Sequence, residues 1–131
     1  MRNHLSLVGV AVGFTIVTAA AVAADWSGAQ PVTVVASEYE FSPAKLIFKR
    51  GVTYRLQIEN RGKEQHEFTA PEFFKAVRLG NAEALNADRT EIEIPPGTTK
   101  DLFFVARQSG HYPLRCSDHD WAGMTGTITV K

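Results

Sequence analysis

The sequence predicts an all-β fold, a sandwich or barrel of short strands. Apolar and polar residues alternate in short runs, as in Val52 to Glu59 and Glu91 to Ile94. Turn-forming clusters separate those runs, notably Asn60-Arg61-Gly62 and Pro95-Pro96-Gly97. Residues 71–88 are the one stretch that departs from this rhythm, and no internal repeat or low-complexity segment interrupts it.

The chain opens differently. Arg2 precedes a mostly apolar run from Leu5 to Ala20, which ends in Ala21-Val22-Ala23-Ala24-Asp25. A basic start, an apolar middle and a small-residue end describe a secretory signal peptide. The run is near the lower limit for a membrane-spanning helix, so an uncleaved anchor is the alternative. The expected organisation is a signal peptide over 1–24 and one exported, periplasmic domain over 25–131.

The strands follow in order. Val32 to Val35 is the first. Leu46-Ile47-Phe48 follows Pro43 and closes at Lys49-Arg50-Gly51. Val52 to Glu59 ends at the Asn60 turn, and Glu91 to Ile94 stops at the double proline. Lys100 to Val105, His111 to Cys116 and Gly126 to Val130 complete the pattern. With one more strand starting near His66, seven to eight are expected. Pro71, with Ala70 before it and Glu72 after it, opens a stretch rich in Ala and Leu. Proline suits a first helical position, so a short helical insertion is expected over 71–88.

Charge and size exclude several classes. Lys plus Arg number 14, as do Asp plus Glu, and loss of Arg2 with the leader leaves a net charge near −1. No basic block points to nucleic acid, and no second apolar span points to a membrane domain. A mature chain of about 107 residues suits one small domain, expected to be a monomer.

The chemistry gathers near the C-terminus. Cys116 is the only cysteine, His119 follows three residues later, and Met124, the only methionine besides Met1, comes five after that. A lone thiol in an oxidising compartment is a liability unless buried or occupied. Thiolate, imidazole and thioether together form a soft donor set that selects copper. By the two-residue period, Tyr112, Leu114 and Cys116 share one face, so Cys116 ends a strand with its side chain inward. Residues 117–123 then form a loop that can fold His119 and Met124 over it. His66, after a turn at the start of another strand, can reach the same end. Two imidazoles and a thiolate with a weak axial thioether form the blue-copper arrangement. His111 lies on the opposite face and is expected to be exposed.

The segment Gly110-x-Tyr112-x-x-x-Cys116-x-x-His119-x-x-x-x-Met124 resembles the copper loop of cupredoxins, with plastocyanin- and pseudoazurin-like spacing. Phe41-Ser42-Pro43 through Phe48 and Gly51 resembles the N-terminal half of the same family. The resemblance covers roughly residues 31–131. It implies a Greek-key β-sandwich, one copper ion held by His66, Cys116, His119 and Met124, and one-electron transfer with no catalytic residues. It also implies an apolar docking surface at Pro113, Trp121 and Ala122, met by a redox protein such as a c-type cytochrome or respiratory enzyme. One position departs: Glu67 follows His66 where plastocyanin-like proteins commonly carry Asn. His66-Glu67-Phe68 is similar to cupredoxin domains of bacterial iron-uptake systems, which often lack the full ligand set. Glu64, Glu67, Glu72, Asp118 and Asp120 therefore read either as a solvated acidic rim or as oxygens for a harder ion such as Fe²⁺. The alternative functions are ferrous-iron oxidation or delivery for a membrane permease, and copper sequestration. A module that has lost its metal is a third, opposed by the complete ligand set.

Counting excludes neighbouring chemistries. A binuclear copper centre needs two loop cysteines. A multicopper oxidase needs many more histidines than His66, His111 and His119. Structural zinc usually takes several cysteines or histidines.

Overall fold

The computed structural model describes residues 25–131; the expected signal peptide over 1–24 lies outside the described residues. Ten strands form: β1 Gln30–Ser37, β2 Glu40–Ser42, β3 Lys45–Phe48, β4 Thr53–Asn60, β5 His66–Thr69, β6 Val77–Leu79, β7 Glu91–Ile94, β8 Thr99–Ala106, β9 Gly110–Arg115 and β10 Thr125–Val130. One short helix, α1, spans Pro71–Lys75. No helix among the described residues is long and apolar enough to cross a membrane.

The strands pair into two five-stranded sheets, ordered β2-β1-β4-β8-β6 and β3-β10-β9-β5-β7. Two pairings are parallel, β1 with β4 and β3 with β10. Alternation sets the inner faces. Tyr54, Leu56 and Ile58 of β4 are buried, as are Leu102 and Phe104 of β8. Phe68, Ile92, Leu114 and Ile128 enter the same core from the second sheet. Phe48, Tyr54, Phe73 and Phe104 fill one end edge-on and stacked, Phe48 and Phe104 having centroids 5.0 Å apart.

The expected sandwich is present, with more strands than the seven to eight expected. β2 and β6 are three-residue edge strands, too short for alternation to mark. The insertion over 71–88 is only partly helical. Pro71 starts α1, but β6 then pairs with β8 through Val77↔Ala106, and a single 3-10 turn follows at Ala82–Ala84. The open edge of β8 recruits Val77-Arg78-Leu79 despite its helix-like surroundings.

One pairing positions the site. β5 and β9 meet only at Thr69↔Arg115. Toward the start of β5 the antiparallel register runs past the end of β9, so His66 and Glu67 face the chain that follows it, from Cys116 on; toward Pro113 the pairing breaks off because β5 has ended. The same break accommodates Pro113, which has no N–H to donate, on a stretch of β9 that has no β5 partner and is flanked by α1.

Candidate metal centre

Cys116 follows the last residue of β9 and is fully buried (0% exposed). The next eight residues turn back over it. The His119 and Ala122 amides donate to the Cys116 and His119 carbonyls, at 3.2 and 3.0 Å. A 3-10 turn spans Asp120–Ala122, and Gly123 takes φ +84°, a left-handed conformation that glycine adopts without a Cβ clash. That reversal lets the Cys116 N–H donate to the Met124 carbonyl at 2.9 Å. Ser117 donates to Glu91 Oε2 at 2.8 Å, as Thr69 does at 2.9 Å, tying the loop to β5 and β7. Asn60 braces the segment before His66, donating to the Glu64 and Ile94 carbonyls and accepting the Gly62 amide, each at 2.8 Å.

These constraints converge on the sulfur. His66 Nδ1 lies 3.9 Å from Cys116 Sγ and His119 Nδ1 lies 3.5 Å from it. All three donor atoms fall within 4.8 Å of one another. Metal–nitrogen and metal–sulfur bonds of about 2.0 and 2.3 Å, as zinc makes, place donors of one shell roughly 3.5–3.8 Å apart. The two sulfur–nitrogen distances lie close to that spacing, so the thiol and the two imidazoles are grouped as a single ion would need them. Met124 is also fully buried (0%), with its backbone held at Cys116. A thiolate, two imidazoles and a thioether match copper better than zinc or a hard oxygen-seeking ion.

The surroundings are polarised. The Glu67 amide donates to Sγ at 3.3 Å, and Sγ donates to Glu67 Oε2 at 3.2 Å. Burial, chiefly, and the Glu67 carboxylate, secondarily, push the Cys116 thiol up to about 11, although the Glu67 amide pulls the other way. The outer nitrogens of both imidazoles face carboxylates: His66 Nε2 lies 3.4 Å from Glu38 Oε1, and His119 Nε2 lies 3.1 Å from Glu64 Oε2. The Tyr39 ring covers His119 at 4.8 Å between centroids and reaches Trp121 at 5.9 Å. A hydrogen bond to the Glu64 carboxylate raises the Tyr39 phenol above its ordinary value.

The family model described as "Cupredoxin-like domain" matches residues 7–130. The chain belongs to the cupredoxin-like family. None of the curated proteins matches the sequence. Among solved structures, auracyanin B aligns with TM-score 0.60 at 22% identity, covering 83% of this chain and 94% of its own. Auracyanin A, a "blue" copper protein of Chloroflexus aurantiacus, aligns with TM-score 0.53 at 22% identity, over 77% of this chain and 99% of its own. A multicopper oxidase from Campylobacter jejuni aligns with TM-score 0.59 at 16% identity, over 78% of this chain but 30% of its own. At these identities the structural likeness is one of fold.

In this cupredoxin the residues singled out from sequence do not all gather. His66, Cys116 and His119 meet, and Met124 is buried beside them. His111 is exposed and bonds Thr129 Oγ1 at 3.0 Å, away from the cluster. Glu67 is only 3% exposed and lies at the sulfur rather than on a rim. Asp120 is paired with Arg115 at 3.1 Å, Asp118 is exposed with its carbonyl taken by the Trp121 indole, and Glu72 is exposed on α1. Trp121 is 76% exposed; Ala122 and Pro113 are exposed too, Pro113 on the outer face of β9. Glu38, Tyr39 and Glu91 carry no motif, and only the folded arrangement brings them to the site.

Proposed function

We propose that this cupredoxin is a periplasmic blue-copper protein that carries one electron at a time between redox partners. The observation that carries this reading is the pair of imidazole Nδ1 atoms facing one buried thiol at 3.9 and 3.5 Å, with Met124 buried alongside. His66, Cys116, His119 and Met124 would hold the copper, and one solved structure of similar fold is described as a "blue" copper protein. Copper bound there supplies the Cu(II)/Cu(I) couple.

The chain's own residues do the rest. Strand ends and the hydrogen-bonded loop hold the donors in one arrangement, so little rearrangement accompanies a change of charge. The Glu67 amide donates to the sulfur and withdraws electron density from it. His119 keeps 14% of its side chain exposed, the ligand edge nearest solvent, with Trp121 beyond it across Tyr39. A redox protein such as a c-type cytochrome would dock on Trp121 and Ala122 through a small, transient interface.

A specific observation favours a second reading. Glu64 sets a carboxylate, half-exposed, at 3.1 Å from His119 Nε2. A carboxylate is a harder donor than the thiolate and imidazoles of the copper set and suits Fe²⁺, so oxidation or delivery of ferrous iron, or metal sequestration, is the alternative to electron carriage. The experiment compares electron exchange with a c-type cytochrome against Fe²⁺ oxidation by copper-loaded protein, in wild type and Glu64→Gln. Fast cytochrome exchange indifferent to Glu64 supports the carrier. Catalytic Fe²⁺ oxidation lost in Glu64→Gln overturns it.

A further inference from the structure

We propose that Glu38 is the positioning residue that keeps His66 Nδ1 turned toward Cys116. The proposal rests on the reading of His66 as a metal ligand. His66 is fully buried, and its Nε2 has no hydrogen-bond partner among the described residues. A neutral imidazole that offers Nδ1 to a metal must carry its proton on Nε2. A buried N–H without an acceptor is costly, because it has lost its water and gained nothing in return. The group that faces this nitrogen is Glu38 Oε1 at 3.4 Å, within reach of the charge though short of a well-aligned hydrogen bond. Metal-bound histidines commonly have such an outer carboxylate, which sets tautomer and ring orientation.

The carboxylate is itself held in place. Glu38 sits between β1 and β2, far from His66 in sequence, and its Oε1 accepts the amides of Lys63 at 2.6 Å and Glu64 at 2.8 Å. Those amides hold the Glu38 carboxyl below the usual carboxylate range. Gly62 lies directly against it: a Cβ there would stand 2.7 Å from Glu38 Cδ and 2.8 Å from Oε2. The loop that leads into His66 is thus shaped around this one side chain. The neighbouring Tyr39 packs edge-on to His66 at 6.4 Å and over His119 at 4.8 Å, so the same turn braces both imidazoles.

Two measurements test the assignment. The first is long-range ¹H–¹⁵N NMR of the metal-free protein at about pH 8, above the ordinary histidine pKa. Wild type and Glu38→Gln, which keeps an acceptor oxygen, should show His66 as a single Nε2–H tautomer. Glu38→Ala should show a mixture, and so should Gly62→Ala, which displaces the carboxylate while retaining it. A single unchanged tautomer in Glu38→Ala, or an Nδ1–H tautomer in wild type, overturns the proposal. The second is Cu(II) affinity by chelator competition. Glu38→Ala should bind about 10- to 100-fold more weakly, the range for loss of an outer partner of a metal-bound histidine. That loss should vanish in a His66→Ala background, because Glu38 acts through His66. If it persists there, Glu38 is a loop clasp only. Should wild type fail to bind copper at all, the copper reading falls, while the tautomer measurement still judges Glu38.

Discussion

The affinity of this cupredoxin for copper is expected to climb with pH, and the buried thiol sets how steeply. Cys116 is fully buried and its thiol is pushed up to about 11, chiefly by burial. At pH 7 the thiol is therefore protonated in all but about one molecule in ten thousand, and a metal must displace that proton to reach the thiolate. Each pKa unit is worth about 1.4 kcal/mol, so the displacement costs roughly 5 kcal/mol at pH 7. The sign follows directly. Raising the pH removes the competing proton, so affinity increases tenfold per pH unit until the thiol itself ionises. Competition against a chelator of known affinity at pH 7, 8 and 9 measures this. A flat affinity over that range refutes the reasoning, as does a Cys116→Ala variant that keeps the same slope.

Three further outcomes are expected. Glu67→Gln removes a carboxylate 3.2 Å from Sγ that raises the thiol, so alkylation of metal-free protein at fixed pH should become faster; an unchanged rate contradicts that role. Phe104→Ala should cost about 3–5 kcal/mol in chemical denaturation, because the ring packs against Phe48, Tyr54 and Phe73; a loss under 1 kcal/mol contradicts that packing. Trp121→Ala should slow electron exchange with a c-type cytochrome while leaving stability within about 0.5 kcal/mol and the visible spectrum unchanged, since the ring is 76% exposed.

What the sequence reveals here follows from whether a feature is local. Cys116, His119 and Met124 lie in one short segment, and the two-residue period of β9 carries the inward direction of the sulfur. The long strands β4 and β8 are legible because β4 buries one face along its whole length and β8 does so from Leu102 to Ala106. β6 is not, since Val77-Arg78-Leu79 is extended only because β8 offers an open edge. Glu67 misleads for a related reason. β5 buries both faces, so a carboxylate that would be exposed on an ordinary outer strand ends up against the sulfur. Glu38 and Tyr39 are the furthest from legible: their place depends on β1 pairing in parallel with β4, which swings their turn over the loop before His66.

The central claim is that one buried thiolate and two imidazoles hold copper. The direct test is the visible absorption spectrum of the purified protein as Cu(II) is added. An intense thiolate-to-copper band that saturates at one ion per chain, and that is abolished in Cys116→Ala, is the predicted result. No band in wild type, or a band that survives in Cys116→Ala, contradicts the account.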